Sequence, residues 1–201
     1  ELAVLECVDA GLPIGETKYV QIEGGSAAFE YYGGVASNAA ITGMNMDTPH
    51  AGGGKDAFCY TRREALGVCA GIGAWNYPVQ VMAWKVAPAL ACGNTFVYKP
   101  SECTPLTALK IAEILKEAGL PDGVFNIVNG DRTTGPLLTT HKDIKKISFT
   151  GSTETGIRIA QAAAPTMKKV TMELGGKSPL LIFDDADLEN AVGAAMMGNW
   201  Y

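Results

Sequence analysis

Histidine is nearly missing from this chain. Its two copies, His50 and His141, are too few and too far apart to hold a metal ion. The five cysteines (Cys7, Cys59, Cys69, Cys92 and Cys103) form no CxxC pair. An odd, scattered set argues against both a zinc site and a disulfide scaffold. That usage belongs to a reducing interior, so the expected compartment is the cytoplasm or the mitochondrial matrix. Also lacking is any arginine-rich run or basic patch. With a net charge of −5, the chain has no means of neutralising phosphates along a strand, and nucleic acid is not an expected partner. No apolar stretch approaches the roughly 20 residues of a membrane span. No basic-then-apolar leader opens the sequence, so a membrane is not an expected partner either.

Two phosphate-binding signatures are absent as well. "GGGK", ending at Lys55, lacks the glycine spacing and the following Ser or Thr of a P-loop. "GSTETG", from Gly151 to Gly156, keeps only the outer glycines of GxGxxG.

What is present is apolar bulk with a rhythm. At 201 residues and 47% hydrophobic, the chain can bury one sizeable core. Its first part reads as helix: "ELAVLECVDAG" stops on Gly11, and after a turn "AAFEYYGGVASNAA" resumes. The glycine-rich stretch from Gly43 to Lys55 reads as a connection. "FCYTRREALGV", from Phe58, alternates apolar and polar residues as an edge strand does. Beyond it, strand-like and helix-like segments alternate. "LGVCAG", "TFVYK", "VFNIV" and "KKISF" each precede a helical segment, then "KVTMEL" and "SPLLIF" read as two further strands before "DADLENAVGAAMMGNW". This alternation predicts an α/β fold, a doubly wound parallel sheet with helices on both faces.

Ligands of such sheets bind at the carboxyl ends of the strands. Trp75, Asn76, Tyr77 and Pro78 follow the first strand; Lys99, Pro100, Ser101 and Glu102 follow the second. Gly151 and Ser152 follow the fourth, where a helix start with a free hydroxyl suits a pyrophosphate. Glu173 follows the fifth, just before Gly175 and Gly176. Each has an ordinary alternative: Ser152 and Thr153 as N-caps, Lys99 and Glu102 as a surface ion pair, Trp75 as core. Glu173 is either an exposed turn residue or a carboxylate paired or held as a base. Together they put a phosphate cradle, a cation, hydrogen-bonding groups and a candidate base on one sheet edge. That combination favours a nucleotide-dependent enzyme.

In combination, "WNYP", "ALACGNTFVYKPSE", "FTGSTETG" and "MELGGKSP" resemble the NAD(P)-dependent aldehyde dehydrogenase superfamily. "GIGAWNYP" looks most like its betaine aldehyde and 4-trimethylaminobutyraldehyde dehydrogenase branch. The resemblance implies a Rossmann-like cofactor domain, NAD as cofactor, a small-molecule aldehyde as substrate and a homodimer or homotetramer. It implies that Glu173 is the general base that activates water against a thioester, and that Asn76 donates to the oxyanion of a thiohemiacetal. Glu173 is expected to be partly desolvated at its strand tip. Lys99 and Glu102 correspond to residues holding the adenosine ribose, with Ser101 beside them. Ser152 with Thr153 receives the pyrophosphate, and Trp75, Phe149, Gly151, Gly156 and Leu174 belong to the cofactor cleft. Lys85 matches a proposed proton relay, against which stands an ordinary snorkelling or paired lysine. Tyr77, Trp84 and Tyr201 correspond to the aromatic wall of the substrate tunnel, where a trimethylammonium group would gain cation–π attraction.

By this resemblance residues 1–56 are the N-terminal helical part of the cofactor-binding domain, 57–66 a strand of the oligomerisation region and 67–201 the NAD-binding domain. The family's nucleophilic cysteine lies beyond the helix that here ends "MMGNWY", and would fall just past Tyr201. None of the five cysteines takes its place. Cys92, which precedes a strand, reads as a small buried residue, and buried thiols are inert. The chain is therefore expected to be a section of a larger aldehyde dehydrogenase, without turnover by itself. The alternative is a truncated nucleotide-binding or structural protein.

Overall fold

The structure, a computed structural model, describes residues 1–38 and 63–200. Five short strands carry the fold: β1 (Val68–Ile72), β2 (Thr95–Lys99), β3 (Phe125–Ile127), β4 (Ile144–Gly151) and β5 (Lys169–Leu174). They form one sheet in the order β3-β2-β1-β4-β5, with every neighbouring pair parallel. Central β1 shows why its sequence is apolar throughout. Successive side chains point to opposite faces, so Cys69 enters one core and Ala70 the other.

On the first face lie α4 (Pro78–Ala91) and α5 (Leu106–Glu117). Val79, Met82 and Val86 of α4 recur at helical spacing and bury against Phe96 and Tyr98 of β2 and Ile111 of α5. On the second face are α6 (Thr134–Thr140) and α7 (Thr153–Ala163), with Ile159 packed against Ile147 and Phe149 of β4. The strand order reverses direction between β1 and β4, which leaves a crevice at their carboxyl ends. The expected doubly wound α/β sheet is present.

The N-terminal helices cover α4. Helix α1 (Leu2–Ala10) ends where Gly11 takes the left-handed conformation, φ 71°. A second helical run then starts at Ile14, earlier than the sequence suggests. It comprises α2 (Ile14–Glu16), a π-helical turn (Thr17–Ile22) and α3 (Glu23–Asn38). Gly24 and Gly25 read as turn residues, yet they lie inside α3. A Cβ on Gly25 would sit 2.7 Å from Val79 Cγ1, so this glycine lets α3 lie close against α4.

One expected strand is not formed. Residues 178–183, the run "SPLLIF", have no regular structure, and the chain reaches α8 (Leu188–Trp200) without a sixth strand among the described residues. Apolar content alone does not make a strand, because the backbone needs a hydrogen-bonding neighbour. Of the strand expected at 57–66, residues 57–62 lie outside the described residues and 63–66 carry no strand pairing. The glycine-rich connection also lies outside them.

Candidate active site

The turn after β1 is built on a buried aromatic. Tyr98 is 1% exposed, and its hydroxyl lies so close beneath Gly73 that a Cβ there would overlap it. Burial pushes the Tyr98 phenol far above its ordinary pKa. Gly73 N–H donates to Lys99 O at 3.0 Å, tying this turn to the end of β2. The chain then presents Trp75, Asn76 and Tyr77 before Pro78 opens α4. A proline fits the first helical position because that N–H has no partner in the helix. Trp75 is 61% exposed, so the core alternative for it is excluded.

These residues face a cleft of about 680 Å³ across the ends of β1, β4 and β5. Trp75, Asn76, Tyr77 and Trp84 form one wall, and Ser101 joins them from the segment after β2. Phe149, Gly151 and Ser152 form the opposite wall, with Glu173 and Leu174 at the end of β5. Tyr77 and Trp84, about two helical turns apart, do meet the same space. Tyr201 lies outside the described residues.

Ser152 is the N-cap of α7. Its Oγ accepts from Thr155 N–H at 3.3 Å and donates to Thr155 Oγ1 at 2.9 Å. Just before it, the side-chain space at Gly151 is already filled by the Phe149 ring, 2.5 Å from where a Cβ would stand. Bare backbone at Gly151 and the free N–H groups of α7 thus border the cleft, an arrangement that accepts an anion. Thr153 is the first residue of α7 and is exposed; Gly156 is buried, with Leu174 Cδ2 2.6 Å from its would-be Cβ. Neither lines the cleft, and Gly156 instead lets α7 lie close to β5.

Lys85 is buried on α4 and paired. Its Nζ donates to Thr150 Oγ1 at 2.7 Å and Ser148 Oγ at 3.4 Å. Burial lowers its pKa to about 8, while Glu173 acts in the opposite sense. Glu173 itself is exposed on β5, contrary to the expected partial desolvation. Among the described residues β5 is an edge strand of the sheet.

Lys99 and Glu102 are not the surface ion pair of the ordinary reading. Lys99 is buried, with Nζ donating to Pro100 O at 3.0 Å, and Glu102 is exposed. Burial lowers the Lys99 pKa, opposed by Glu102 and then Asp131. Asp131, on the turn after β3, was not anticipated. The Thr133 hydroxyl and amide hold its carboxyl below the usual range. Its only sequence signal is a polar "NGDRTTG" after a strand. Thr150, Thr155 and Ser148 were also unanticipated, since hydroxyls flanking a helix start read as caps.

The described thiols do not join this cleft. Cys92 is exposed rather than buried, because it follows the last turn of α4 where the chain turns back toward β2. Cys69 is buried, which raises its pKa. No described cysteine lines the cleft. Among the described residues no cluster could hold a metal ion, and no helix is long and apolar enough to cross a membrane.

The aldehyde dehydrogenase family matches residues 1–201, the whole chain. The chain belongs to the aldehyde dehydrogenase family. It is 60% identical over 200 residues to betaine aldehyde dehydrogenase of Rhizobium johnstonii, covering 100% of this chain and 40% of that protein. It is 59% identical over 201 residues to betaine aldehyde dehydrogenase 1 of Rhizobium meliloti, with the same coverage. Betaine aldehyde dehydrogenase of Staphylococcus aureus, crystallised with NAD+, superposes with a TM-score of 0.92 at 39% identity, covering 100% of this chain and 38% of that one. The chain thus spans about two fifths of the length of the curated relatives it matches.

Proposed function

We propose that this chain is the cofactor-binding portion of an NAD-dependent enzyme that oxidises a trimethylamino or amino aldehyde to its acid. The observation carrying this reading is the convergence of Asn76, Ser152 and Glu173, from three separate strand ends, on one cleft at the point where the sheet reverses order. The cleft fits a dinucleotide: the start of α7 and the bare backbone at Gly151 suit its pyrophosphate, while Lys99 and Glu102, which do not line the cleft itself, would meet its ribose. NAD, when bound, supplies a hydride acceptor.

In this mechanism a thiolate from outside these residues adds to the aldehyde carbon, and the Asn76 amide donates to the oxyanion that forms. Hydride departure leaves a thioester. Glu173 takes a proton from water as its oxygen attacks that carbon, and the acid leaves as the thiol is restored. Lys85, next to Thr150, is placed to exchange protons with Glu173 through hydroxyls. Leu181 and Phe183, 75% and 73% exposed, form an apolar surface of the kind that further chain or a second subunit covers. Small-molecule substrate, homo-oligomeric assembly and a cytoplasmic location complete the proposal.

Tyr77 and Trp84 both line the cleft, and aromatic faces attract a quaternary ammonium by roughly 0.5–2 kcal/mol per ring. The test uses the full-length enzyme and compares kcat/KM for betaine aldehyde with that for 3,3-dimethylbutanal, in which carbon replaces nitrogen. Preference for the cation, reduced by Tyr77→Leu, is expected. Equal use of the two aldehydes would leave only the general aldehyde dehydrogenase activity. In the same enzyme Glu173→Gln should keep a burst of NADH and slow the steady rate that follows. An intact-mass measurement of the natural protein separates this reading from a short nucleotide-binding protein without turnover.

A further inference from the structure

Helix α4 begins without a cap of its own. The residue before it, Tyr77, places no side-chain hydrogen bond on the helix end, and Pro78 has no N–H. A Ser, Thr, Asp or Asn at position 77 would ordinarily meet the first free amide. Here that position is taken by an aromatic that walls the cleft. The first N–H of α4 is therefore that of Val79, and its acceptor comes from far away in sequence. Glu6 Oε1, 73 residues upstream on α1, accepts it at 3.2 Å.

Glu6 is a costly residue to use in this way. It is 0% exposed, its Oε2 has no hydrogen-bond partner, and burying a carboxyl is unfavourable unless it is well paired. Asp9, one turn further along α1, is engaged elsewhere, accepting Leu106 N–H at 2.9 Å at the start of α5. A second tether grips the same turn of α4, with Gln80 Nε2 donating to Val20 O at 2.9 Å. The start of α4 is thus clamped from the N-terminal helices, immediately behind the turn that presents Asn76.

We propose that Glu6 is a positioning residue for Asn76: by accepting the Val79 N–H it sets where α4 begins, and so where the Trp75–Tyr77 turn holds the amide that meets the oxyanion. The inference rests on the proposed role of Asn76. Glu6 touches neither substrate nor cofactor and acts only through the helix end. Its carboxyl also complements the positive end of the α4 dipole.

The experiment measures the NADH burst rate and the NAD dissociation constant in the full-length enzyme. Glu6→Met keeps the volume and removes the acceptor; Glu6→Gln keeps an acceptor at the same reach. Small misplacements of a group in a reacting site cost up to about 100-fold in rate. The Met variant should therefore slow the burst by about 10-fold or more while NAD affinity stays within about 2-fold. The Gln variant should restore the burst to within about 3-fold of the parent. A Met variant with the parent burst rate, or Gln and Met variants slowed equally, overturns the proposal. If the Met variant does not fold, Glu6→Asp takes its place, being one methylene too short. Gln and Asp variants with the same rate then refute it. Asn76→Ala is the control: if it leaves the burst unchanged, the oxyanion role itself fails. If it slows the burst and Glu6→Met does not, only the positioning role fails.

Discussion

Thr150 and Glu173 are register partners on adjacent parallel strands, and the Thr150 hydroxyl accepts a 2.7 Å hydrogen bond from the buried ammonium of Lys85. One threonine therefore stands between the cation of α4 and the carboxylate at the end of β5. The arrangement keeps a charge inside the protein close to a site that, on the proposed mechanism, must move protons.

Holding Lys85 charged in this place costs stability. Its folded pKa, about 8, lies below the ordinary 10.5, so between those values the unfolded chain binds more protons than the folded one. Stability from this group is present above pH 10.5 and is lost as pH falls through 8. The urea midpoint of Lys85→Met, followed across that window, should lack the rise with pH that Lys85 contributes to the parent. Parallel curves would contradict the burial of this ammonium.

Glu6 gives the opposite slope. Burial raises its pKa from 4.5 to about 7, opposed by the Val79 amide and aided by Asp9. The folded chain keeps a proton that the unfolded chain has released between those values. Its contribution is complete below pH 4.5 and is lost as pH rises to about 7. Glu6→Gln should flatten that decline, as read from denaturation midpoints at several pH values in the window.

Gly73 tests the turn beneath the cleft. Its missing Cβ leaves room for the Tyr98 hydroxyl, so Gly73→Ala should destabilise by about 1–3 kcal/mol, the usual cost of overpacking. Removing the hydroxyl with Tyr98→Phe in the same chain should recover part of that loss. A double-mutant cycle that shows no coupling would place the tyrosine elsewhere.

Glu102 is expected to select the cofactor. A carboxylate at the adenosine ribose accepts hydrogen bonds from two hydroxyls and repels a 2′-phosphate. Titrating the full-length enzyme with both dinucleotides should show tighter binding of NAD than NADP, and Glu102→Gln should narrow the gap. Equal affinities in the parent would mean that Glu102 does not face the ribose.

The sequence by itself determined the five strands, the helices between them and most of the cleft. β1 is buried on both faces and so is apolar at every position, and each strand end carries residues whose chemistry is visible without coordinates. Asn76, Ser152 and Glu173 are local features of that kind. What only the tertiary structure decided depends on neighbours distant along the chain. "SPLLIF" has the composition of a strand but no backbone partner. Gly24 and Gly25 look like a turn but are the close approach of two helices. Cys92 looks buried but lies where α4 gives way to a turn. Glu6 is one acidic residue in an amphipathic helix, with no motif around it, and its hydrogen bond to Val79 exists because folding brings α1 onto the start of α4. Periodicity and composition register which residues avoid water. They do not register which backbone group, far along the chain, a buried polar atom will meet.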